Sequence, residues 1–188
     1  MNPAAPREAW RRTLHVASGS LGLLWYLGVP HASITILLLA LLGLATILEL
    51  LRWRLARVRQ ALERVALGAL RPAEGGAVTG ATLLALGYVA AWLVFPAAAA
   101  APAIIVTAGA DPAAALVGSR AGERGRKTWA GSAAAGAVAV LLLLAQRIAV
   151  LRSIAGALVA ALAERAGARG LDNVTVPLAT AAMLALLR

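Results

Sequence analysis

The chain has 188 residues, 61% of them hydrophobic and 14% charged, with a mean hydropathy of +0.82; a soluble domain keeps about a quarter of its residues charged, so an ordinary water-facing surface is excluded. Cysteine is absent, which removes disulfides, thiolate metal ligands and thiol redox chemistry. The net charge of +10 does not point to nucleic acid, because the arginines stand in clusters between apolar runs, where they orient a membrane protein and meet anionic lipid headgroups.

A membrane-spanning helix needs about 20 apolar residues. In chain order the candidates are Leu14 to Leu27, Ala32 to Leu51, Thr79 to Phe95, Ala97 to Gly118, Trp129 to Ala145, Ile148 to Ala163 and Val174 to Leu187. The pattern predicts an all-α polytopic membrane protein of six or seven spans, one membrane-embedded domain over residues 1–188. The first, sixth and seventh runs are short enough to be tilted, re-entrant or partly buried. Residues 7–30 could pass for a signal peptide, but no small-residue cleavage pattern follows Leu27, so they read as a first span. Residues 52–71 read as an amphipathic helix on the membrane surface, its arginines facing water. No internal repeat is evident.

A cytoplasmic N-terminus puts 15 of the 18 basic residues inside, with Arg147, Arg152 and Arg188 outside. The positive-inside rule favours that arrangement. It gathers the unusual polar residues on the cytoplasmic side: His15, Glu49, Glu74 with Thr79, Asp111, Lys127 with Thr128, Glu164, and Asp172 with Asn173. Ionisable groups at membrane depth are costly and mark function. Asp111 follows the small residues Ala108-Gly109-Ala110 and precedes Pro112, which is expected to break or restart the helix.

Gly118, Arg120, Gly122, Lys127, Thr128, Gly131 and Ser132 have the elements of a phosphate cradle: backbone amides, a helix N-terminus and a neutralising cation. Their spacing is not that of a Walker loop. Asp111, Asp172, Asn173 and Glu164 supply the oxygen ligands that suit Mg²⁺, which takes few carboxylates and completes its shell with phosphates and water. Plainer roles stand beside these. Asp172-Asn173 can cap a helix at Val174, His15 can be a headgroup-level polar residue, and Glu49 can pair with Arg52 one turn on. Of the 18 basic residues, 17 are Arg, so the single Lys127 is conspicuous.

These pieces, taken in order, resemble the CTP-dependent polyprenol kinase family of dolichol kinases, phytol kinases and a diacylglycerol kinase. They are Arg11-Arg12-Thr13-Leu14-His15, Glu49-Leu50-Leu51-Arg52, Glu74 ahead of Val78-Thr79-Gly80-Ala81-Thr82, Asp111-Pro112 through Gly118, Lys127-Thr128-Trp129-Ala130-Gly131-Ser132, and Glu164 ahead of Leu171-Asp172-Asn173-Val174-Thr175-Val176-Pro177. The likeness covers nearly the whole chain. It departs from the family at Ala110, where Gly often precedes the Asp, and at Arg12, where Lys is common. Without the extra N-terminal spans of eukaryotic dolichol kinases, the sequence reads as a bare catalytic unit.

The resemblance implies transfer of the terminal phosphate of CTP to a polyprenol, phytol-like or related lipid alcohol, with Mg²⁺ as cofactor. The setting it implies is the inner (plasma) membrane of a bacterium or archaeon, with the site facing the cytoplasm and a homodimer left open. Lys127, Thr128 and the glycines would hold donor phosphates with help from Arg120. Asp111 and Asp172 would hold the metal, with Asn173 and Glu164 near it. His15 or a carboxylate would orient the alcohol, and Arg12, Glu49 and Glu74 are further candidates. Phosphatidate cytidylyltransferases share the Asp…Gly…Lys-Thr…Gly core, but their longer C-terminal signature is absent. A small transporter would also carry intramembrane carboxylates, yet the matched halves common in transporters are not seen.

Overall fold

Prolines mark where the two longest helices begin. Pro30, with φ −56° and ψ 140°, precedes one that runs His31–Arg54, and Pro96 precedes another at Ala97–Arg120. The computed structural model describes residues 4–65, 77–120, 127–168 and 170–187. Among them are nine helices and no strand: α1 Ala4–Ser18, α2 Ser20–Tyr26, α3 His31–Arg54, α4 Ala56–Val65, α5 Gly80–Val94, α6 Ala97–Arg120, α7 Trp129–Ala145, α8 Val150–Ala166 and α9 Asp172–Leu186. The all-α expectation holds.

Helix α6 is the axis of the bundle. It packs against α1, α2, α5, α7, α8 and α9, and every residue from Ala99 to Ala108 is buried. Its small side chains allow that crowding. A Cβ on Gly22 would come within 2.6 Å of the Ala101 carbonyl, and one on Gly131 within 2.8 Å of the Ala114 carbonyl. Helix α9 packs as closely on α5, where a Cβ on Gly87 would lie 2.2 Å from the Asn173 carbonyl. Three apolar clusters result among the described residues, the smallest of them Ala91, Ala103 and Ala181. Of the larger two, one joins Val106 and Ala110 of α6 to Leu143, Ala157 and Leu184, and the other joins Ile104 to Ile34, Tyr88 and Trp92.

Three local expectations change. The run Leu14 to Leu27 is two helices that meet at Gly19, where a Cβ would lie 2.9 Å from that of Ala108. Pro112 does not break α6, which continues through it and through Pro102. A proline removes one ladder hydrogen bond, but packing on so many sides holds the helix, and packing is the main source of helix stability in proteins. Arg52 does not belong to a surface helix. It lies in the last turn of α3, buried, and the chain turns through extended Leu55 into α4. Arg57 and Arg59 of α4 are exposed as expected, while residues 66–71 of the expected surface helix lie outside the described residues.

By length and composition, α3 and α6 are long and apolar enough to cross a membrane. They differ in setting: 67% of the most apolar stretch of α6 is buried, against 17% for α3.

Candidate functional site

Contacts join the end of α3 to the start of α5, the start of α5 to the start of α9, and the end of α8 to the starts of α7 and α9, so their polar residues meet at one end of the bundle. The first group forms where α3 ends and α5 begins. Glu49 takes Arg52 at i+3 as partner on Oε1, while its Oε2 accepts from the Thr79 amide at 3.2 Å, the Thr79 hydroxyl at 2.8 Å and the Thr82 hydroxyl at 3.1 Å. Arg52 also donates to the Ala77 carbonyl at 2.7 Å. Both members of the pair are at least 95% buried. Thr79 is the N-cap of α5 and accepts from Thr82, so the glutamate fixes the very residue that starts that helix.

Asn173 carries the connection onward. Its Nδ2 donates to the Gly80 carbonyl at 2.9 Å, which ties the start of α9 to the start of α5. The expected N-cap at Asp172-Asn173 is built differently: α9 begins at Asp172 itself, whose Oδ1 accepts from the Asn173 amide at 3.1 Å. Gly170, at φ +85°, supplies the left-handed turn just before it.

The second oxygen of Asp172 meets Lys127. The ammonium lies 2.9 Å from Asp172 Oδ2 and 3.3 Å from Glu164 Oε1, and it donates to the Glu164 main-chain carbonyl as well. Ser132 Oγ donates to Glu164 Oε2 at 3.3 Å. Thr128 caps α7 through the Gly131 amide at 3.0 Å. A Cβ on Gly118 would lie 3.2 Å from the Thr128 hydroxyl, so Gly118 and Gly131 bring the end of α6 against the start of α7. Beside this group the guanidinium of Arg165 stacks 3.6 Å above the Trp129 ring.

Asp111 stands on another side of α6. His15 Nε2 is 3.3 Å from the Thr107 carbonyl and 3.9 Å from Asp111 Oδ2. With a proton on Nε2 serving Thr107, Nδ1 is left as the acceptor. Ser18 Oγ donates to the His15 carbonyl at 2.6 Å, so the 2.9 Å contact with Tyr88 has the phenol as donor.

The structure therefore brings together Lys127, Glu164, Asp172, Thr128, Gly131 and Ser132, and separately His15 with Asp111. It does not bring Asp111 into the expected metal group: among the described residues no three His, Asp or Glu side chains converge. The reason is helical phase. Asp111 follows Ile104 and Thr107 toward α1, whereas Ala110 and Ala114 face the helices that carry Glu164 and Asp172. Asn173 spends its amide on α5. The oxygens around Lys127 still suit a hard cation, which needs only one or two carboxylates. Arg120 ends α6 exposed, and Arg12 lies one turn before His15. Glu74 and Gly122 lie outside the described residues.

Sequence reasoning missed Tyr88 and Ser18. The signal was available, since Tyr88 is a lone phenol in an apolar run and Ser18 follows His15 by one helical turn. Comparison with family models, with curated proteins and with solved structures found no match.

Proposed function

We propose that the chain is a polytopic membrane lipid-alcohol kinase, transferring the terminal phosphate of a nucleoside triphosphate, CTP by the resemblance, to an isoprenoid or related alcohol. The observation that carries the reading is the polar assembly at one end of the bundle, where Lys127, Glu164 and Asp172 from three elements converge beside the capped start of α7. Its setting supports a bilayer. Polar groups are inside, including Glu49, Arg52, Ser153, Glu164 and Thr180, while Leu151, Ile154, Leu158 and Leu162 form an exposed stripe along α8. A water-soluble chain seldom exposes such an unbroken apolar stripe while burying a Glu–Arg pair. Helices α7 and α8 have 17 residues each, within the roughly 17 to 25 that a span requires. Counting α1 with α2 as one, the reading takes α3, α5, α6, α7, α8 and α9 as further crossings, seven in all.

Phosphoryl transfer asks a protein mainly for positioning and charge stabilisation. The acceptor hydroxyl attacks the terminal phosphorus, its proton passes to the His15–Asp111 pair, and the bond to the bridging oxygen breaks to release the nucleoside diphosphate. Glu164 and Asp172 are the residues that would hold Mg²⁺, which supplies charge neutralisation at the donor phosphates. A cytidylyltransferase remains the alternative within the same chemistry; the product, phosphorylated alcohol or CDP-lipid, separates the two.

The direct test is to incubate the purified chain with several nucleoside triphosphates and a panel of lipid alcohols. Turnover with none of them ends the reading. In the same assay Asp111→Asn is expected to lower turnover by roughly 100-fold or more, the scale of a general base, because Asn keeps the size and loses the charge beside His15. Unchanged turnover by this variant would remove the His15–Asp111 pair from the mechanism.

The membrane arrangement has its own test. Single cysteines at Arg59 and Ala168 are expected to label only from the cytoplasmic side, and one at Ala98 only from outside. Labelling of Arg59 and Ala168 from opposite faces would split the polar end and refute the arrangement.

A further inference from the structure

The two roles assigned to the Lys127 group exclude each other in the conformation seen. An ammonium has three N–H donors. Lys127 donates to the Glu164 main-chain carbonyl and to Asp172 Oδ2 at 2.9 Å, and its charge also lies 3.3 Å from Glu164 Oε1, so in this conformation the ammonium is committed to the carboxylates rather than to a phosphate. The same ammonium covers the oxygens that a metal would need. Of the remaining oxygens, Glu164 Oε2 faces the Ser132 hydroxyl and Asp172 Oδ1 accepts from the Asn173 amide.

We infer that Lys127 and a divalent cation are alternative occupants of one oxygen-lined position formed by the Glu164 main-chain carbonyl, the Glu164 carboxylate and Asp172, and that entry of the cation releases Lys127. The three oxygens form a hard-cation donor set that accepts an ammonium or, with added water, a divalent metal. The carboxylates are the fixed members, with side-chain exposures of 9% and 16% and donors holding them from behind, whereas Lys127 is 29% exposed on a flexible stem. Exchange replaces one positive charge by two between two carboxylates and frees an ammonium for other anions. Only the last step, in which the freed Lys127 meets donor phosphates, rests on the kinase reading; the exchange itself needs neither nucleotide nor lipid.

Lys127 is the chain's sole lysine, so an amine-directed reagent modifies it and the N-terminal amine alone. Mn²⁺ by itself is expected to raise the rate of Lys127 modification several-fold, read by peptide mass analysis, with the N-terminal amine as internal reference. Lys127→Met is expected to bind Mn²⁺ at least about tenfold more tightly than wild type, since one repelling charge is gone, and Asp172→Asn more weakly, as measured by paramagnetic resonance of free Mn²⁺. Modification that is unchanged or slowed by Mn²⁺ overturns the inference, as does Lys127→Met binding no more tightly. Should that variant fail to fold, the labelling of the wild-type chain decides alone. Loss of the kinase reading would show up separately, as exchange without turnover on any alcohol.

Discussion

Lys127→Arg is expected to lose turnover nearly as completely as Lys127→Ala, by roughly 30- to 1,000-fold, the cost of removing one strong contact to developing charge in a shielded site. The sequence argument is that every other basic position is Arg, so Lys is specifically required here. The structure adds a mechanism. Lys127 meets a carbonyl and two different carboxylates around one point, a geometry for a compact charge. Arg presents a wide planar fork that grips a carboxylate through two parallel bonds, and such a clamp on Glu164 or Asp172 would be slow to release. Arg57→Lys on exposed α4 is the control and should change little. Rates for the three variants, measured in parallel with the donor nucleotide varied, decide the matter. Wild-type turnover by Lys127→Arg would mean that any cation serves.

The second large effect is expected on stability. Arg52→Met leaves the Glu49 carboxylate buried without its guanidinium, and breaking a buried pair from one side costs about 3 to 5 kcal/mol. Thr79 and Thr82 still donate to Glu49, but they bring no countercharge. The double variant Glu49→Gln with Arg52→Met removes both charges and is expected to recover much of the loss. Thermal unfolding of the two single variants and the double variant provides the check; a double variant no more stable than Arg52→Met would show that the pair is not the source. Turnover should fall in Arg52→Met as well. Glu49 fixes the start of α5, Gly80 receives Asn173, and Asp172 is the neighbouring residue.

Most of the apolar helices were readable before any coordinates, since they follow from apolar runs bounded by Pro, Gly or charge. The run Thr79 to Phe95 became α5 with Thr79 as its cap, and Trp129 to Ala145 became α7 with unchanged ends. The Glu49–Arg52 pair was likewise implied by i,i+3 spacing. Arg52 shows where local pattern stops. Among so many arginines it reads as surface charge, and only the return of Ala77 and Thr79 to the end of α3 buries it.

What the sequence determined by itself is which segments are helical and that the rare polar residues share one end, because both depend on period and on alternating direction along a single chain. What the tertiary structure alone decided is how those residues group. Asp111 meets His15, 96 positions away by number, because packing on α1 sets the rotation of α6. Lys127 meets Glu164 and Asp172, 37 and 45 residues on, because Gly118, Gly131 and Gly87 let three helix ends approach within backbone contact. Helical periodicity orders the faces of one helix, but the choice of which face meets which neighbour is made by side-chain volumes across the bundle.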